Sequence, residues 1–127
     1  MLCPLHPLNW YAGWGLILAS FVTGAGIGIF FHREDFWGGY SSFRRRIVRL
    51  GHISLAALGM LNLLFALSVP TGGWMQSSAS ILLLIGAIAM PAVCFLTGWR
   101  KLFRHLFAIP VLSLITAVVF VLAGGAP

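Results

Sequence analysis

Three histidines and two arginines carry most of the chemistry available to this sequence: His32, His52 and His105, with Arg49 close to the second and Arg104 beside the third. Each histidine lies at the edge of a long apolar run or just inside it, where an ionisable residue is a functional candidate. Neutral imidazole ligates haem iron and is the commonest protein ligand for transition metals. Two of these histidines could therefore hold a b-type haem. Alternatively, His52 or His105 could hydrogen-bond a quinone carbonyl with Arg49 or Arg104 nearby, or the histidines could bind a metal. Against all three stands a plainer use, as interfacial residues meeting water, lipid phosphates or a partner subunit. No dedicated metal site and no catalytic set is assigned. Glu34 and Asp35 are the only carboxylates and are adjacent, so no buried acid exists to relay protons or bind sodium. No nucleophile–base pair, phosphate loop or CxxC occurs, and the chain is not expected to be an enzyme on its own.

The elements that position these residues follow from composition. Of 127 residues, 60% are hydrophobic and 8% are charged, against about 25% charged in soluble domains. Apolar runs at approximately 11–31, 47–69, 78–99 and 104–123 are each long enough to cross a bilayer, which takes about 20 residues. Ile81–Ile85 and Val118–Leu122 are apolar on every side, which a soluble bundle would not tolerate. The expected fold is an all-α integral membrane protein: one domain over 1–127, folded as an antiparallel bundle of four transmembrane helices. Pro91 should kink the third helix rather than break it.

The charges are one-sided. Arg33, Arg44, Arg45, Arg46 and Arg49 lie in or beside the first loop, and Arg100, Lys101 and Arg104 in the third. The second loop and both ends of the chain carry no charged side chain. The positive-inside rule then places loops one and three in the cytoplasm and both termini on the other side. A bacterial inner membrane is the expected location, because nothing indicates organelle targeting. The net charge of +6 is spent on topology, and nucleic acid is not an expected partner. Trp37, Tyr40, Arg44, Arg45 and Arg46 form a loop surface suited to anionic lipid headgroups or to a docking partner.

Small residues suggest packing faces. Ser20, Gly24 and Gly28 recur every four residues with His32 on the same stripe, and His52, Ala56 and Gly59 repeat at helical spacing in the second helix. Such stripes let helices approach closely in lipid. Asn62 is expected near mid-membrane, making a helix-to-helix hydrogen bond. Cys94 should be a small buried hydrophobe, and His6 a solvated terminal residue. The layout, short-looped helices with histidines on one side, resembles small membrane-anchor or cytochrome-like subunits of electron-transfer complexes, a likeness of architecture alone. It implies a non-catalytic subunit of a redox or respiratory complex that helps shape a haem or quinone site. The alternative is a self-associating structural or small-solute membrane protein, a homo-oligomer without a cofactor.

Overall fold

The computed structural model describes residues 5–124. Among them there are four long helices and no strand: α1 (Pro7–Phe30), α2 (Phe43–Ser68), α3 (Trp74–Trp99) and α4 (Ala108–Ala123). Short 3-10 segments precede α2, at Phe36–Gly38, and α4, at Lys101–Phe107. All four helical stretches are long and apolar enough to cross a membrane, counting the fourth from Lys101. Cys3, at the N-terminal end, and the final Gly125-Ala126-Pro127 lie outside the described residues.

The first three helices begin earlier than the apolar runs, because local start signals set their ends. Pro7 occupies the first turn of α1, where its missing N–H costs nothing. Ser42 caps α2, its hydroxyl accepting the Arg45 N–H at 3.2 Å. The fourth span behaves differently. Pro110 cannot donate to Leu106 and its ring crowds that carbonyl, so regular α-helix starts only at Ala108 and the chain ahead of it winds as 3-10. Pro91, in contrast, sits inside an uninterrupted α3.

Each helix packs chiefly on its chain neighbours: α1 on α2, α2 on α3, α3 on α4. Phe65, Val69, Ala79, Leu83 and Ala117 form the apolar core of the last three. Glycine permits the closest approaches. A Cβ on Gly13 would lie 2.8 Å from the Gly59 carbonyl oxygen, and one on Gly51 would lie 2.9 Å from Cβ of the buried Cys94. Farther along, Gly98 meets Val48 and Gly86 meets Leu114. Outward residues such as Phe21, Ile29, Ile81 and Leu112 remain exposed, as a helix solvated by lipid allows.

One polar cluster ties three helices together. Asn9 Nδ2 donates to Asn62 Oδ1 at 2.8 Å, Ser80 Oγ donates to Asn9 Oδ1, and Asn62 Nδ2 donates to the Leu58 carbonyl. Asn9 and Asn62 are both fully buried. Asn62 makes the expected helix-to-helix bond, less than two turns from the end of α2 and level with the first turn of α1. His6, expected to be solvated, is only partly exposed and packs against Phe65 with the rings tilted and centroids 4.6 Å apart.

Candidate functional site

The α1–α2 contact closes tightly at the Asn9 end and opens toward loop one. At the closed end, Gly13 and Gly59 leave room only for backbone against backbone, with Ile17 beside them. Ser20 is buried and its hydroxyl points to the His52 carbonyl at 3.4 Å. At the next turn of α1, Gly24 faces the His52 ring: an added Cβ would stand 2.7 Å from Cε1 and 3.2 Å from Nε2. One turn farther, a Cβ added to Gly28 would meet nothing within 4 Å. The gap becomes a cleft of about 180 Å³ lined by Gly24, Ile27, Gly28, Phe31, Arg49, His52 and Ile53.

Thr23 contacts the His52 ring. Its hydroxyl has a single proton and lies 2.8 Å from the Ala19 carbonyl and 3.1 Å from that of Ser20. Donated to either carbonyl, that proton leaves the oxygen to accept from His52 Nδ1, 3.2 Å away, in the Nδ1–H tautomer. In that tautomer Nε2 is an acceptor beside Gly24. Arg49, one turn of α2 earlier, supplies the opposite function. Its guanidinium donates to the Tyr40 hydroxyl at 3.4 Å and lies 5.0 Å from that ring's centroid. The cleft thus combines an imidazole, a guanidinium and apolar walls.

The structure does not bring the three histidines together. His32 follows the end of α1, roughly two helical turns (about 10–12 Å) past the level of Gly24 and His52. It is exposed and its Nδ1 is bonded to the Ile29 carbonyl at 2.8 Å. His105 and Arg104 are exposed in the 3-10 segment before α4 and line no part of the cleft. Among the described residues no group of three His, Cys, Asp or Glu side chains could hold a metal. Of the expected packing residues, Ser20, Gly24, Gly59 and Asn62 meet a neighbouring helix, Ala56 is half-buried, and Gly28 borders open space.

The loop arginines divide by role. Arg44 Nε donates to the Gly98 carbonyl at 2.8 Å, and Arg45 Nη2 donates to the Phe31 carbonyl at 3.1 Å. Both cations thereby sit on the negative, C-terminal ends of helices, α3 and α1 respectively. Arg45 is only 4% exposed and lies over the Phe31 ring, 4.3 Å from its centroid. Trp37, stacked on Phe36, adopts φ 51° ahead of Gly38 and Gly39, both also left-handed. This tight turn carries Tyr40 over Arg45 and Arg49.

Thr23 and Asn9 are the functional and packing residues that composition alone does not pick out. Thr23 had a detectable signal, since it follows Ser20 by three residues and precedes Gly24 on one face of α1. Asn9 lies ahead of the apolar run, and nothing local marks it as buried. Comparison of the chain with protein-family models, with curated proteins and with solved structures returned no match.

Proposed function

We propose that this chain is a non-catalytic membrane subunit of a larger redox complex, and that its His52–Arg49 cleft receives a quinone headgroup. In this reading the helices form an antiparallel bundle in a bacterial inner membrane, with both termini outside and loops one and three cytoplasmic. The cleft then opens near the cytoplasmic surface. Support for the antiparallel arrangement comes from contact pairs whose numbers run in opposite directions, Gly13 with Gly59 and Gly24 with His52. Support for the orientation comes from the arginine and lysine bias.

The observation that carries the reading is the His52 imidazole, in contact with Thr23, lining an otherwise apolar cleft together with Arg49. A quinol hydroxyl can donate to Nε2, and a quinone oxygen can accept from the guanidinium. Phe31 and the glycine surface of α1 offer flat apolar walls to the ring and its isoprenoid tail. At about 180 Å³ the cleft is smaller than the roughly 300–1,000 Å³ of enclosed ligand sites. A neighbouring subunit or lipid would complete its open side, which fits a subunit role better than an independent one. A b-type haem fits less well: His52 is the one histidine in the cleft, so the second axial ligand would have to come from another chain.

Quinone carried through purification in mild detergent, extracted and quantified by mass spectrometry, tests the proposal. Near-stoichiometric quinone that falls about tenfold or more in His52→Leu supports it. A colourless homo-oligomer that retains no quinone would favour the self-associating alternative, and a Soret band would favour haem.

A further inference from the structure

A second site lies at the charged end, on a different face of α2. Arg44, Arg45 and Arg49 are engaged by the carbonyls and the tyrosine described above, whereas Arg46 is exposed and its guanidinium has no hydrogen-bond or aromatic partner among the described residues. Phe43, Arg46, Ile47 and Leu50 fall at i, i+3, i+4 and i+7, one face of the helix. They line an open cleft of about 340 Å³. Lys101, carried in just past the end of α3, places its ammonium 5.5 Å from the Phe43 ring centroid. Two cations therefore flank Phe43, and neither carboxylate of the chain lines the cleft. Below them, Ile47 and the half-exposed Leu50 continue as an apolar wall down the first two turns of α2.

We propose that this cleft binds one anionic phospholipid, with the phosphate between Arg46 and Lys101 and an acyl chain along Ile47 and Leu50. Charge complementarity selects an anion. The direction of the apolar wall selects a lipid over an acidic protein segment, because Ile47 and Leu50 lead along the helix toward the hydrocarbon and away from water. The aromatic residues Trp37, Tyr40 and Trp99 at the same end mark the headgroup level. Cations near an anionic leaflet attract it in any case; the proposed site differs in being confined to these two.

The test uses the whole protein in nanodiscs of mixed phosphatidylglycerol and phosphatidylcholine, released and weighed by native mass spectrometry. Phosphatidylglycerol should be retained in preference to phosphatidylcholine. Arg46→Ala and Lys101→Ala should each weaken retention about fivefold, and the pair about thirtyfold, from about 1 kcal/mol per charge. Arg46→Lys should restore most of the loss, while Arg33→Ala and His52→Leu should leave retention unchanged. The last variant separates this site from the quinone cleft. Equal retention of the two lipids, an unaffected double variant, an equal loss in Arg33→Ala, or full displacement by millimolar inorganic phosphate would overturn the proposal.

Discussion

The two halves of the α1–α2 contact use the same residue types for opposite ends. Toward Asn9, glycine meets glycine, the Asn9 amide is paired across helices with Asn62 and Ser80, and Asn62 Nδ2 is paired with the Leu58 carbonyl of its own helix. Toward loop one, Gly24 meets an imidazole instead, and a Cβ added to Gly28 would meet nothing within 4 Å. The first half consumes its polar groups in holding three helices together. The second sets an imidazole, and a guanidinium bonded to Tyr40, beside a gap. In a membrane, where the alternative to pairing is exposure to hydrocarbon, a polar group kept available is a candidate for chemistry, and a polar group fully paired is a candidate for architecture.

The largest expected effect comes from breaking the closed half. Gly59→Val places a Cβ 2.9 Å from the Gly13 carbonyl oxygen, and backbone cannot swing aside. Destabilisation of about 3 kcal/mol or more is expected, read as a shifted midpoint in detergent-titrated unfolding. Asn9→Leu comes next. It leaves Asn62 Oδ1 and Ser80 Oγ without their partner, and about 1–2 kcal/mol should be lost in the same assay. Asn62→Leu should cost a similar amount, and the two losses should not add, because they break one network.

The open half should respond in binding more than in stability. Thr23→Val removes the oxygen in contact with His52 Nδ1, freeing the ring. Quinone affinity should fall about fivefold, corresponding to about 1 kcal/mol for one hydrogen bond, while the unfolding midpoint scarcely moves. Gly28→Ala is the smallest change: with open space around it, stability should shift by less than about 0.5 kcal/mol. A Gly28→Ala loss as large as that of Gly59→Val would erase the distinction between the halves.

Much of this was legible in the residues, and the rest was hidden for specific reasons. The apolar runs mark the four spans because lipid imposes length and all-round hydrophobicity. Their true starts at Pro7, Phe43 and Trp74 depend on caps and interfacial residues, which hydropathy does not weigh. The late start of α4 was implicit in Pro110, read only as a residue inside the span. His52 pointed inward from its stripe alone, and the structure sets it against Gly24 of the small-residue stripe on α1. His32 and His105 do not join His52 in one site, since sequence distance from a helix end says nothing about which neighbour a side chain faces. Asn9 pairs with Asn62 across 53 residues, and no local pattern encodes a partner that remote.

The most direct test of the quinone cleft is photolabelling of the purified protein with an azido-quinone, followed by peptide mapping. The account predicts labelling confined to the α1 segment around Gly24–Phe31 and the α2 segment around Arg49–Ile53, abolished by excess unlabelled quinone and by His52→Leu. Labelling in the apolar groove that Leu61, Phe65, Val118 and Val121 line between α2 and α4, or labelling indifferent to both competitor and His52, would contradict it.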